Sequence, residues 1–183
     1  MKLKIKIKLK NNDIACMPKS IGKGDWIDLC AAEDIDIDNL SKEQELKFSP
    51  IAKYDRKKFS YCIIPLGVAM KLPDGYEAII SPRSSIFKNY NIIMPNSIGI
   101  IDNSYSGNED YWGCPVLAFG KGIKIKKGER LCQFRIQLSQ KATAMQKTKN
   151  LFYNEVGFEI VSDLGNNMNR GGFGSTGKKE VKE

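Results

Sequence analysis

The chain has 183 residues, with 29 Lys or Arg against 21 Asp or Glu and no His, for a formal charge of +8. Without imidazole it cannot run a Ser-His-Asp or Cys-His nucleophile, a His-ligated zinc or iron site, or a histidine acid/base at neutral pH. The length suits one domain, no apolar run approaches the roughly 20 residues of a bilayer span, and the N-terminus lacks the unbroken apolar stretch of a secretory signal.

Lys2 to Lys10 alternates lysine with Leu3, Ile5, Ile7 and Leu9, the period of a strand with one buried and one solvated face. A wet strand face accounts for these lysines better than a nucleic-acid stripe, which adds aromatics or groove-entering helices. Asp34, Asp36 and Asp38 alternate with Ile35 and Ile37 and read as a second solvated strand face, not a metal site. Ser41 to Phe59 is highly charged and carries no motif. Tyr61 to Met70 is an apolar run broken by Pro65 and Gly67, Pro73-Asp74-Gly75 signals a turn, and Tyr76 to Ser81 resumes a strand. The pattern continues through Asn91–Met94, Ser97–Ile101, Val116–Phe119, Ile123–Ile125 and Arg130–Leu138. Helical turns are expected only within Ser84–Tyr90, Lys42–Leu46 and Ala142–Lys149. Many short strands with frequent turns predict an all-β sandwich or barrel. The five cysteines, odd in number and widely spaced, read as reduced thiols of a cytoplasmic protein.

From Leu164 onward the chain is rich in Gly and Asn, a composition that stays mobile unless a ligand orders it. Gly172 to Gly177 matches G-x-G-x-x-G, but six residues cannot supply the helix that a dinucleotide fold requires, and Lys179 after Lys178 excludes a Walker A loop. Its amides, the Ser175 and Thr176 hydroxyls and Arg170 suit phosphate oxygens, and Phe173 suits a base; a disordered terminus is the plain alternative. Ser81-Pro82-Arg83-Ser84-Ser85 places a cation and two hydroxyls after a strand, either a phosphate cradle or a helix cap. Pro95 to Gly107 reads as a hairpin that carries an amide (Asn96), a carboxylate (Asp102) and a flat ring (Tyr105) around one small pocket, although an Asp at a turn is commonly a turn former.

Taken together, these segments resemble the trimeric deoxyuridine triphosphatase (dUTPase) family, in order along nearly the whole chain. They are Gly24-Asp-Trp-Ile-Asp28-Leu, Pro82-Arg-Ser-Ser85, Asn96 through Gly107, Gly128-Glu-Arg-Leu-Cys-Gln133 and Arg170-Gly-Gly-Phe-Gly-Ser-Thr-Gly177. The resemblance implies a jelly-roll-type β-barrel over residues 1–163 and a flexible arm over 164–183 that closes on an active site, expected to be that of a neighbour in a homotrimer. It implies hydrolysis of dUTP to dUMP and pyrophosphate with Mg2+. Asp102 corresponds to the carboxylate that activates water, Tyr105 to the ring under the deoxyribose, and Asn96 with Ile101 to the uracil hairpin. Arg83, Ser84, Ser85 and Gln133 correspond to phosphate contacts, and Asp28 to a carboxylate that supports the metal through water. Phe173 corresponds to the cap on uracil, with Arg170, Gly174, Ser175 and Thr176 near the terminal phosphates. The chemistry fits a histidine-free chain, since an ionised Asp holds water and the phosphate charge is met by Mg2+, Arg and backbone N–H groups.

Two other readings compete. A dCTP deaminase on the same fold carries a Glu immediately before the glycine that is Gly107 here, where this chain has Ser106 and only Glu109 nearby. A nucleotide-binding regulator would offer the extended Asn108–Pro115 segment, or Ser41–Phe59, to a protein partner.

Overall fold

The computed structural model describes residues 1–20, 22, 24–39, 59–165 and 168–173. The expected helical turn at Lys42–Leu46, the charged segment up to Lys58, and Gly174, Ser175 and Thr176 lie outside them.

The first strand, β1 (Lys2–Leu9), buries Leu3, Ile5, Ile7 and Leu9 and turns its lysines outward. Each of those aliphatic side chains contributes about 1.5–3 kcal/mol by leaving water. Lys8 departs from the expected wet face: only 20% of its side chain is exposed, and its Nζ donates to the Asn108 carbonyl at 3.0 Å. Short strands β2 (Lys19–Ser20) and β3 (Ile27–Cys30) follow. Next, β4 (Ile35–Asp36) gives way to a 3-10 turn over Ile37–Asn39, so the alternating aspartates are a strand for two residues only. Ile35 and Ile37 are nonetheless buried while Asp34 binds Lys126 and the Lys127 amide.

The apolar run from Tyr61 divides, as its proline and glycine suggest, into β5 (Phe59–Pro65) and β6 (Val68–Lys71). Gly67 sits between them at φ +67°, and a Cβ there would lie 2.6 Å from the Cys16 sulfur, so glycine is required. Then come β7 (Tyr76–Pro82), helix α1 (Ile86–Tyr90), β8 (Ile92–Ile93), β9 (Gly99–Asp102), β10 (Gly113–Phe119), β11 (Lys124–Ile125), β12 (Arg130–Leu138), α2 (Ala144–Asn150) and β13 (Glu155–Ile160). A capping box between Thr143 and Gln146 starts α2. The last strand was not expected from the sequence.

The strands form sheets ordered β13-β1-β6, β5-β10-β8, β11-β4 and β2-β3-β12-β7-β9, a jelly-roll-type arrangement around one core. Trp112 and Phe134 meet edge to face within it, ring centroids 5.3 Å apart. All five cysteines are free and buried, and burial pushes the Cys62 thiol up to about 12. Among the described residues no helix is long and apolar enough to cross a membrane.

The functional geometry follows from two junctions in this topology. Strand β9 is the edge of the five-stranded sheet and ends at Asp102. The turn after it returns to β10, with the Trp112 N–H donating to the Val68 carbonyl at 2.7 Å.

Candidate active site

Asp102 closes the edge strand opposite Glu77 of β7. Its Oδ1 accepts the Ser104 amide at 2.9 Å and the Ser104 hydroxyl, the short side chain–backbone loop that makes Asp a turn former. The Asp102 carbonyl accepts the Tyr105 amide at 3.1 Å, which tightens the turn and brings ring and carboxylate to the same side. The Tyr105 hydroxyl donates to the Tyr111 carbonyl at 3.1 Å and pins the half-buried ring. Burial, then the Asp110 charge, push the Tyr105 pKa up, so this ring is a neutral surface.

Around this turn lies a pocket of about 300 Å3 lined by Asn96, Gly99, Ile101, Asp102, Tyr105, Gly113 and the tail segment Arg170–Phe173, with Ile80, Met94, Ile100, Trp112 and Pro115. The structure thus brings together six residues singled out from the sequence: Asn96, Ile101, Asp102, Tyr105, Arg170 and Phe173. Arg170 donates from Nη1 to Asp102 Oδ2 at 2.5 Å and to the Ser104 hydroxyl at 2.7 Å. Burial pushes the Asp102 carboxyl up, but the Ser104 hydroxyl, the Arg170 guanidinium and the Ser104 amide together outweigh it and hold the group below its ordinary value. Asp102 is therefore an ionised acceptor near neutral pH. Phe173, at φ +53°, lies with its ring 3.4–3.5 Å from where a Gly113 Cβ would be. In the single chain these arm residues cross the pocket of their own subunit.

Of the remaining predicted contacts, the described ones, Asp28, Arg83, Ser84, Ser85 and Gln133, do not line that pocket. Asp28 on β3 is 4% exposed; its Oδ1 meets Arg83 Nε at 3.2 Å and its Oδ2 meets Arg130 Nη1 at 2.9 Å. Gln133 pairs with Asp28 across β3 and with Ser81 across β7, beside the same arginines. Ser84 is exposed, and Ser85 stands at the N-cap of α1 without a side-chain cap bond. The helix-cap alternative for Ser85 is therefore not what its hydroxyl does. A cleft of about 200 Å3 beside Asp28 is lined by Met17, Lys19, Cys30, Gly128 and Arg130.

Sequence reasoning missed Asp110, Asn169, Arg130 and the pocket-wall glycine Gly113. Arg130 stood inside a quoted motif, but only the β-bulge between Arg130 and Cys132 turns it onto Asp28. Trp112 is 1% exposed, and its Nε1–H has no acceptor among the described residues. The Asn108–Pro115 segment, read as a surface for a partner, turns largely inward: Asp110 and Trp112 are buried, and Glu109 reaches outward to Lys8 at 3.3 Å.

The fold and site define a jelly-roll β protein with a carboxylate-and-tyrosine pocket at a sheet edge, crossed by its own C-terminal segment. The dUTPase family profile matches residues 49–164. The SPbeta prophage-derived deoxyuridine 5'-triphosphate nucleotidohydrolase YosS of Bacillus subtilis is 43% identical over 157 residues, which cover 86% of this chain and 87% of that protein. The deoxyuridine 5'-triphosphate nucleotidohydrolase of Finegoldia magna is 32% identical over 122 residues, covering 66% and 74%. Among solved structures, a dUTPase from Streptococcus mutans superimposes with a TM-score of 0.59 at 19% identity, covering 75% of this chain and 98% of that one. A mutant dUTPase from phage phi11 of S. aureus, a structure concerned with the coordination of a structural Mg(II) ion, gives 0.53 at 16%, covering 76% and 93%. The chain belongs to the dUTPase family and is a hydrolase.

Proposed function

We propose that this enzyme hydrolyses dUTP to dUMP and pyrophosphate, keeping uracil out of DNA and supplying dUMP for thymidylate synthesis. The observation that carries the reading is the ionised Asp102 facing a pocket of nucleoside size beside the Tyr105 ring. Asp102 Oδ1 is fixed by Ser104, which leaves Oδ2 to hold a water once Arg170 turns from it to phosphate. That water attacks the α-phosphorus, Asp102 takes its proton, and pyrophosphate leaves. The flat Tyr105 ring packs under the deoxyribose, Asn96 and Ile101 meet the base, and Phe173 covers it; Gly174, Ser175 and Thr176 extend the arm toward the terminal phosphates.

Arg83, Ser84, Ser85 and Gln133 carry the phosphate contacts. Because they do not line the pocket of their own chain, a complete site needs a second copy, in keeping with a homotrimer. The exposed Ile98 and Ile100, at the β9 edge, are available to that contact. Whether the arm stays on its own pocket or crosses to a neighbour's, Phe173 serves the same role.

Mg2+ would supply charge neutralisation on the phosphates. Among the described residues no cluster of three or more acidic or thiol ligands could cage a metal, and both Asp28 oxygens are engaged by guanidinium groups. The donor set fits an ion held by the triphosphate and water, with Asp28 acting on it only through water. The five buried thiols suit a cytoplasmic enzyme.

A nucleotide panel with product analysis tests the reading. Pyrophosphate is expected from dUTP with Mg2+, much faster than from UTP, dTTP or dCTP. No pyrophosphate from dUTP, or ammonia released from dCTP, overturns it; Glu109, the deaminase substitute, does not line the pocket.

A further inference from the structure

The extended turn after Tyr105 contains a buried carboxylate that the mechanism does not use. Asp110 is 1% exposed, and a carboxylate removed from water needs hydrogen-bond donors in compensation. Its own turn supplies one, the Gly107 amide at 2.8 Å. The others come from the arm: the Arg170 amide reaches both oxygens, at 2.9 and 3.0 Å, and the Gly171 amide reaches Oδ1 at 3.0 Å. Neighbouring contacts repeat the pattern. The Glu109 amide donates to Asn169 Oδ1 at 2.9 Å, and Asn108 Oδ1 accepts the Leu164 amide at 3.0 Å. Gly107 makes the approach sterically feasible, since a Cβ there would lie 2.6 Å from the Asn169 Cα.

Two consecutive amides of the arm thus end on one fixed carboxylate, which sets the arm's register to a single residue. With that register, Arg170 falls on Asp102 and Phe173 falls beside Gly113; a slip of one residue would move both off. Lys8 fixes the turn from the other side through the Asn108 carbonyl. We propose that Asp110 is a positioning residue: it clasps the backbone of the arm at Arg170 and Gly171 and so aligns Arg170 and Phe173 over the pocket before the nucleotide arrives. For its kinetic consequence the proposal rests on the dUTP reading; for the docking itself it does not.

Hydrogen exchange resolved to single amides, combined with steady-state kinetics on the full-length enzyme, tests this. In Asp110→Asn one of the two acceptor oxygens becomes a donor and the remaining neutral oxygen accepts more weakly than a carboxylate, so exchange at Arg170 and Gly171 is expected to accelerate by about tenfold or more while the strand amides keep their protection. The same variant should lose about tenfold in kcat/KM for dUTP, a loss of alignment rather than of chemistry. In a chain truncated before Asn169, which lacks both of the side chains that the clasp aligns, Asp110→Asn should add almost nothing to the loss in kcat/KM. Gly107→Ala, which pushes Asn169 away with the carboxylate intact, should accelerate the same two amides and serves if Asp110→Asn fails to fold. Unchanged exchange at Arg170 and Gly171 in a folded variant overturns the clasp, and a loss that multiplies in the truncated chain overturns its action through the arm. If the wild-type enzyme releases no pyrophosphate from dUTP, the functional reading fails while the exchange result still decides the clasp.

Discussion

Asp28 and Asp102 both meet arginine, and the surroundings make the two pairs different in kind. Asp28 is almost fully buried and closed on both sides, by Arg83 and by Arg130, within the five-stranded sheet. Asp102 stands at the end of the edge strand with about half its side chain exposed, and its partner Arg170 belongs to the terminal segment. A buried charge that loses its partners has no water to turn to, so the Asp28 cluster is framework. An exposed pair contributes little to stability and exchanges readily, so Arg170 can leave Asp102 at small cost. The same pairing chemistry therefore builds a rigid framework in one place and a releasable contact in the other.

The comparison breaks first at Asp102. Asp102→Asn keeps the shape and the Ser104 loop but removes the proton acceptor, and turnover should fall by about 10³-fold. Affinity for dUTP, measured by calorimetry, should change little, and the melting temperature hardly at all. An unchanged kcat would remove Asp102 from the reaction. The framework carboxylate should behave in the opposite way: Asp28→Asn leaves two guanidinium groups around a neutral amide and should cost about 3 kcal/mol in denaturant unfolding. A variant as stable as the wild type would mean that the arginines are held by something else. Deleting Asn169 onward removes the releasable partner and the cap together while sparing the buried Leu164. Turnover should drop by about 10²-fold with the cooperative unfolding transition retained, since Asn169 to Phe173, the described residues of the deletion, bury no core side chain. Full activity in that truncation would take the arm out of the mechanism.

How far the sequence speaks for these two regions follows the same division. Asp102 and Tyr105 were legible because one turn holds them three residues apart, with Asn96 just before the short strand β9 that leads to it, and the strict alternation of Lys2 to Leu9 gave β1 and its buried face without ambiguity. The Asp28 pairing with Arg83 and Arg130 was not legible: the partners are separated by more than fifty residues and meet only through sheet register. Strand β13 was missed although Val156, Phe158 and Ile160 alternate with Glu155, Gly157 and Glu159, a period of two weakened by Gly157 and by modest burial. Its parallel partner is β1, at the other end of the chain, which no local pattern announces. The arm read as mobile because Gly and Asn dominate it, while the acceptor that fixes it, Asp110, lies in a segment that the motifs leave unexplained.

The smallest effect gives the most direct test of the releasable pair. The acid limb of kcat/KM reports the free enzyme, where Arg170 is on Asp102. In the wild type that limb should lie below the ordinary carboxyl value of about 3.8, because hydrogen bonds to the ionised form outweigh burial. A depressed pKa means that activity is fully present above the limb and is lost as pH falls through it. Arg170→Ala removes one of the depressing contacts and leaves burial in place, so the limb should move to higher pH whatever happens to its height. Ser104→Ala removes the largest single hydrogen bond to the carboxylate and should move it in the same direction. The two shifts, read from pH profiles between pH 3 and 6, rank the contacts that keep Asp102 ionised. A limb that stays put in both variants would mean that the group titrating there is not Asp102.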